Sequence, residues 1–402
     1  MAKSISIRMY NVGFGDSFVL RFPCKDRERT MLIDCGVHAA GPGPHTMDEV
    51  VDQIIADVTA NGHARIDVVV ASHRHRDHVL GFENEKWQDV EVGEVWMPWT
   101  EDPKDPKARK IRELQSKKAE AIALALRLAG APSEVLQIAE NSLVNAKAMA
   151  TLHNGFSGNP VRRYLPPKNR NDQTFTTDLL KGVTIHAMGP SRDPEVIRDM
   201  NPPAGGAYEL AAAASEDGDA APEPPFDSRF VLAGDAVKAL MKEMEITPRD
   251  LRGIEKIADE DPLALVVALD KAVNGTSLML MFEMGNAHLL FPGDAQWGTW
   301  QAALGDDEWH SLLERTCFYK VGHHGSHNAT PRDFVESVLP KDAFSAMVCT
   351  SLTKRFKRIP LPSLLTALES RSGHRVARSD DGVKVKGFRR KSDVWAETDV
   401  AI

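Results

Sequence analysis

The chain has 402 residues, 42% of them hydrophobic, which is enough for one large domain or two medium ones with an ordinary buried core. Its formal charge of −8, from 49 Lys and Arg against 57 Asp and Glu, provides no whole-surface basic field and excludes indiscriminate coating of nucleic acid. The local basic runs "KARKIRELQSKK" and "TKRFKR" read as solvated helix faces or loop charges. Cys24, Cys35, Cys317 and Cys349 are scattered, with no CxxC pair, so they form neither a zinc ribbon nor a disulfide framework and suit a reducing compartment.

From the N-terminus, "SISIRMYNV", "SFVLRF" and "TMLIDCG" read as strands joined by turn-rich connections. The first of these alternates polar and apolar residues and lacks the apolar core and cleavage site of a secretory signal. A helix is expected from about Thr46 to Ala60, with Val50, Ile54, Ile55 and Val58 on one face. "IDVVVAS" is a continuous β-branched run, the mark of a strand buried on both faces. Residues 101–160 become rich in Lys, Glu, Ala and Leu at helical spacing, including Ile111, Leu114, Ile122 and Leu126, with a second helix capped by Ser133. The strand "GVTIHAMGP" follows, and then a second insertion at 190–262. Its part at 202–226 is poor in large apolar residues and reads as linker, with helices expected at 229–260. "TSLMLMF" and "AHLLFPGDA" read as a hairpin of buried strands, "CFYKVGHHGS" and "AFSAMVCTS" as two further strands, and 361–371 as a helix. No run of about eighteen apolar residues occurs, so no membrane span is expected and cytoplasm is the expected location. The strand–helix alternation in both halves implies a mixed α/β sandwich interrupted by two insertions.

The stretch "SHRHRDHVLG" follows the buried strand directly, where open α/β sheets place their ligands. On an extended loop, His73 and His75 turn to one side and Arg74 and Arg76 to the other, with Asp77 on the histidine side and His78 adjacent. Imidazole with carboxylate suits zinc, iron or manganese. Four candidate ligands within six residues exceed what one open catalytic ion takes from a single loop, so two ions are inferred. Distant ligands are then required. Asp294 ends "HLLFPGD", and the pair His323 and His324 ends "CFYKVGHHGS".

With "LIDCG", "SHRHRDH", "FPGD" and "VGHHGS" in this order, the sequence resembles the metallo-β-lactamase superfamily of binuclear hydrolases. "NVGFGDS", "NGTSLMLMF", "KVGHHGS" and "RSDDGVKV" look more narrowly like the hydrolase domain of ComEC-type DNA-uptake competence proteins and their standalone relatives. That branch also holds phosphorylcholine-esterase-like enzymes. The resemblance covers both halves but not residues 100–180 or 190–262. It implies a single αββα domain over 1–402, with two mixed β-sheets flanked by helices and carrying the two insertions. It makes His73 and His75 ligands of a first divalent ion, and Asp77, His78 and His324 ligands of a second. Asp294 bridges the two, and His323 faces the substrate. The superfamily often adds another histidine to the first ion; its motif is absent here, and His153 in "ATLHNGFSG" is the candidate, while His186 lies within a strand. The counterpart of Asp34 supports the ligand loop. "GFGDS" reads as a tight turn whose Asp16 braces the site.

Two ions, zinc with manganese or iron as alternatives, would share a hydroxide nucleophile. Asp77 and Asp294 would orient it, and His323 would serve the oxyanion or leaving group. The expected activity is hydrolysis of a phosphodiester, nucleic acid included. A carboxylic ester, lactone, thioester or amide is the alternative, because the same metals polarise a carbonyl. A non-catalytic regulatory protein retaining the fold is the third reading. Convergence of Arg162, Arg163, Lys354, Arg355 and Lys357 on the site would favour phosphate.

Overall fold

In "SISIRMY" the apolar residues Ile5, Ile7 and Met9 occupy every second position, and all three are buried on one face of strand β1, Ser4–Tyr10. The computed structural model describes residues 3–128, 141, 145–203, 205–208, 271–328, 330–352 and 359–402. β1 is followed by β2 (Ser17–Pro23), β3 (Glu28–Cys35), the two-residue β4 (Thr59–Ala60), β5 (His63–Val70), β6 (Glu91–Pro98) and β7 (Val161–Leu165). Next come β8 (Thr174–Phe175), β9 (Thr184–Gly189), β10 (Met279–Met284), β11 (Ala287–Phe291), β12 (Phe318–Lys320), β13 (Ser345–Val348) and β14 (Val376–Arg378). β15 (Phe388–Lys391) and β16 (Trp395–Ala401) close the chain.

These strands build two mixed sheets. The nine-stranded sheet has the order β15-β16-β1-β2-β3-β5-β6-β7, with β4 paired on β5; the seven-stranded sheet has the order β14-β13-β12-β11-β10-β9-β8. Each is antiparallel in one half and parallel in the other, with β3, β5, β6 and β7 parallel in the first sheet and β11 through β14 parallel in the second. The sheets pack face to face over one apolar layer, in which Phe18, Ile33, Val70 and Trp96 of the first meet Leu280, Phe282, Phe291 and Phe318 of the second. Each outer face is covered by helices. Helix α1 (Met47–Val58) seals the first sheet with Val50, Val51, Ile54 and Val58, and Trp300, Leu313, Leu364 and Leu368 lie on the second.

The boundaries follow local chemistry. Thr46 caps α1 in a reciprocal box, its hydroxyl accepting from Glu49 N at 3.3 Å while the Glu49 carboxylate accepts from Thr46 N at 2.8 Å. The helix stops at Val58, short of Ala60, because Asn61 and Gly62 both take positive φ and fold β4 back on β5 as an Asn-Gly hairpin. The expected strands at "GVTIHAMGP", "TSLMLMF", "AHLLFPGDA", "CFYKVGHHGS" and "AFSAMVCTS" are present, as β9 to β13. β4, β6, β7, β8, β14, β15 and β16 add to that set. Helix α2 (Arg76–Val79) and β6 lie before the 101–160 region, which holds α3 (Pro106–Leu128) and a short helix over Ala146–Ala150. The helix expected from Ser133, the helices expected at 229–260 and most of the 202–226 segment lie outside the described residues.

Phe291 is the hub of the inter-sheet layer, with ring centroids 5.6 Å from Phe18, 5.9 Å from Phe282 and 5.5 Å from Phe318. Phe291→Ala should lower stability by about 3–5 kcal/mol, the usual cost of emptying a buried phenyl site, measured by urea-induced unfolding.

Candidate metal centre

β5 delivers the chain at Val70 to an extended loop, and the loop turns into α2 at Arg76. What fixes the loop is Asp34, which follows buried Ile33 at the end of β3 with φ of 57°. Its carboxylate accepts from Ser72 N at 2.7 Å and from the Ser72 hydroxyl at 2.6 Å. It also accepts from His78 Nδ1 at 2.8 Å. Gly36 lets the loop come close, since a Cβ there would lie 2.5 Å from the Arg76 carbonyl oxygen. The β1–β2 turn closes behind it, Asp16 N donating to the Asp77 carbonyl at 2.9 Å and Gly36 N to the Asp16 carbonyl at 3.1 Å.

The second sheet supplies the rest. Leu278 N donates to the Ser72 carbonyl at 2.8 Å, tying β10's approach to the ligand loop. Gly293, with φ of 54°, turns the chain after β11 so that Asp294 faces the loop. Asp294 Oδ2 lies 3.1 Å from His78 Nε2, and Oδ1 accepts from His323 N at 3.0 Å. His324 Nε2 lies 3.2 Å from Asp77 Oδ2, and His73 Nε2 lies 3.0 Å from His75 Nδ1. His73, His75, Asp77, His78, Asp294 and His324 are all at least nine-tenths buried.

Proton placement shows what this cluster accommodates. His324 Nδ1 donates to the Cys349 carbonyl at 3.0 Å, and His78 Nδ1 donates to Asp34, so in the neutral form of either ring the lone pair is at Nε2. Each of those nitrogens faces a carboxylate oxygen, and His73 faces His75 nitrogen to nitrogen. A proton on the ring or a metal cation can stand between each nitrogen and the oxygen it faces, and a histidine whose second nitrogen is held by a carboxylate or carbonyl is the usual metal-ligand arrangement. His73, His78 and Asp294 form one group whose ligand atoms lie within 4.8 Å of one another, and Asp77, His78 and His324 form another. The buried histidines and aspartates could therefore hold a metal ion.

Burial, with the neighbouring rings, holds His73 well below the ordinary histidine range, and burial brings His75 down to about 4. Burial alone would also lower His78, but Asp294, Asp34 and Asp77 outweigh it and raise that ring well above its ordinary value. Burial would raise Asp77 and Asp294, yet His78 and the other cations around them hold both well below the usual carboxylate range. Lys320 is raised, because Asp16 and Asp294 overcome the burial that would lower it.

Of the residues expected from sequence, His73, His75, Asp77, His78, Asp294 and His324 are brought together. His323 stands at the edge, its Nδ1 2.8 Å from the Ser326 hydroxyl and its Nε2 3.4 Å from Asn274 Nδ2. Asp34 and Asp16 brace the cluster as expected. His153 is not brought to it: its Nδ1 faces the Tyr164 hydroxyl at 3.2 Å, in a π-helical turn, Thr151–Gly155, that aims the ring at β7. Arg163 is bound to Glu94 at 2.8 and 3.0 Å, and Arg162 donates to the Pro160 carbonyl at 2.7 Å; Lys354, Arg355 and Lys357 lie outside the described residues.

Three further residues escape a reading from sequence. Lys320 is buried in β12, pairs with Asp16 and lies 3.6 Å from Asp294 Oδ1; its signal is a lone charge in an apolar strand. Asn141 accepts from Asp77 N at 3.3 Å and donates to Asp77 Oδ1 at 3.2 Å. Asn274 touches His323 and hydrogen-bonds His75. Neither asparagine has a local sequence signal. All four cysteines are free thiols, and no helix among the described residues is long and apolar enough to cross a membrane. No family model and no curated protein matches the chain.

Two substitutions test the framework without touching a ligand. Asn141→Ala frees Asp77 from its amide and should weaken metal binding by about 10–100-fold, the usual loss for a partner behind a ligand. Gly36→Ala should push the ligand loop off β3 and weaken binding at least as much. Both are read by zinc competition against a chromophoric chelator.

Proposed function

We propose that the chain is a binuclear metal-dependent hydrolase of the metallo-β-lactamase fold, acting on phosphodiesters. The observation that carries this reading is a buried charge imbalance. Asp16, Asp34, Asp77 and Asp294 are all buried, and Lys320 is the one lysine or arginine buried with them among the described residues. Lys320 offsets one of these four carboxylates, so the remaining charge needs protons on His78 and His324, both rings being raised by the carboxylates against their burial, or metal ions in their place. Two divalent cations and one small anion balance it. The sequence order of the ligand motifs, the two mixed sheets packed face to face and the helices on both outer faces support the superfamily resemblance.

His73, His75 and Asp294 would hold one ion, and Asp77, His78, His324 and Asp294 the other, with zinc the best match to this nitrogen-rich set. Bound there, the ions supply an activated water and polarise the scissile oxygen. The chain's own groups do the rest. Asp34 keeps the His78 proton on Nδ1, the Cys349 carbonyl does the same for His324, and Asn141 holds Asp77 in place. His323, less buried than His324 and anchored by Ser326, is positioned to meet the substrate's oxyanion or leaving group.

Hydrolysis of a carbonyl substrate is the second reading, and the placement of Arg162 and Arg163 removes one independent support from the phosphodiester reading. Both are engaged with Glu94 or with backbone carbonyls, so they add no phosphate contacts at the cluster. A screen of bis-(p-nitrophenyl) phosphate, single-stranded DNA, a lactone and a thioester, each with zinc and with manganese, separates the two. The expected result is phosphodiester turnover that falls by more than about 100-fold in Asp294→Ala, beyond the loss typical of an outer partner. Turnover of the lactone or thioester alone would replace the phosphodiesterase reading, and metal content unchanged by Asp294→Ala with no turnover at all would sink catalysis.

A further inference from the structure

Gln296, Ser326 and Asn328 follow Asp294 and His324 closely in sequence, and the fold buries all three almost completely. Polar groups so placed keep their hydrogen bonds, and here the bonds run as one chain. Gln296 Nε2 donates to the Asp294 carbonyl at 3.0 Å, and Asn328 Nδ2 donates to Gln296 Oε1 at 2.8 Å. The Ser326 hydroxyl donates to Asn328 Oδ1 at 2.8 Å, and Ser326 Oγ meets His323 Nδ1 at 2.8 Å.

The chain has a single polarity. It begins at a backbone carbonyl, which can only accept, so the Gln296 amide turns its nitrogen there and its oxygen to Asn328. That oxygen requires the Asn328 nitrogen, which leaves the Asn328 oxygen for Ser326. A hydroxyl has one proton, and Asn328 Oδ1 takes it. Toward His323 the serine can then only accept, so the ring carries its proton on Nδ1. Asn274 agrees from the other side of the ring: its Nδ2, a donor, lies 3.4 Å from His323 Nε2. The backbone closes the circuit, since His323 N donates to Asp294 Oδ1 at 3.0 Å. Both ends of the chain therefore rest on Asp294 and His323.

We infer that Gln296, Asn328 and Ser326 are positioning residues that hold the His323 proton on Nδ1 and reserve Nε2 for the substrate. The proton placement stands on geometry alone, while its effect on turnover rests on the hydrolase reading. Neutral or protonated, the ring keeps its Nδ1 proton on Ser326, so it shares a hydrogen bond or a proton with the substrate at Nε2 only. Were Ser326 free to turn its own proton onto Nδ1, the neutral ring would take the other tautomer and present a donor at Nε2 in place of a lone pair. Asn328 prevents this by claiming the serine proton, and Gln296 prevents Asn328 from turning over.

The test reads the tautomer directly, by long-range proton–nitrogen correlation on the chelator-treated full chain with isotope-labelled histidine, in mildly alkaline buffer. The His323 signals are identified by their loss in His323→Gln. The parent should carry the proton on Nδ1. Asn328→Leu, which acts on the ring through Ser326, should release the serine proton toward Nδ1 and move the ring proton to Nε2. Ser326→Ala should give a mixture that Ser326→Thr returns to the parent pattern. In phosphodiester turnover, Ser326→Ala and Asn328→Leu should lower kcat by about 10-fold or more with KM little changed, part of the roughly 10²–10⁴-fold that a positioned acid or base contributes, and Ser326→Thr should recover it. A parent ring protonated on Nε2, or the parent tautomer persisting in both Asn328→Leu and Ser326→Ala when circular dichroism shows them folded, would overturn the inference; the parent spectrum decides even where a variant misfolds. The expected tautomer shifts with no turnover in any form would sustain the proton placement and sink the hydrolase reading, and shifts with unchanged kcat would overturn the effect on turnover.

Discussion

A carboxylate taken out of water must be met by positive charge or by donors, and this molecule buries four of them where the ends of its two sheets converge. Everything around the cluster serves that requirement. Asp34 is saturated by the Ser72 amide, the Ser72 hydroxyl and His78. Asp294 receives the His323 amide and lies beside the Lys320 ammonium, which also pairs with Asp16. Asp77 is held by the Asn141 amide and faces His324. Lys320 belongs to the second sheet and Asp16 to the β1–β2 turn of the first, so their ion pair also clamps the two sheets at the site.

The backbone is bent to make this convergence. Asp34, His323 and His324 take φ of 57°, 44° and 53°, a left-handed region that non-glycine residues enter at some cost. The surroundings hold them there. The amide of His323 is drawn to Asp294, the ring of His324 is anchored on the Cys349 carbonyl, and Gly325 packs so closely on Pro360 that a Cβ would lie 2.8 Å from it. Strain at the very residues that face the cluster is what a preorganised site looks like, because the geometry is set before any ligand arrives.

Much of this was legible in the chain. Strands buried on both faces announce themselves as unbroken apolar runs, as in "IDVVVAS" and "AHLLF", and ligands cluster where those runs end. The histidine loop, Asp294 and the pair His323 and His324 could be read on those grounds, while the choice of His324 within the pair rested on the resemblance. Lys320 could not, because a charge in a strand gains meaning only when Asp16 arrives from three hundred residues earlier. Asn141 and Asn274 are invisible for the same reason: an amide in a polar segment has no pattern until its partner is known. β16 alternates only weakly, and its place is decided by pairing with β1 at the opposite end of the chain. His153 illustrates the converse, a residue with plausible chemistry whose backbone turns it toward Tyr164 instead.

Under the proposed hydrolysis, the choice of substrate would fall to the segments around the cluster, since the strand-end residues would serve any bond. Asn141 and Asn145, from the region between β6 and β7, grip the ligand loop at Asp77 and at the Arg74 carbonyl. Gln115 of α3 donates to the Ala272 carbonyl at 3.3 Å, two residues before Asn274, and Trp99, Ala108 and Ile111 pack on Ile197. Helix α3 and its approach are thus joined by both polar and apolar contacts to Ile197, within the 190–262 segment, and to Ala272, beyond it. Side chains can be added or removed there without disturbing a carboxylate below, so the buried charge arrangement and the surface above it can vary independently.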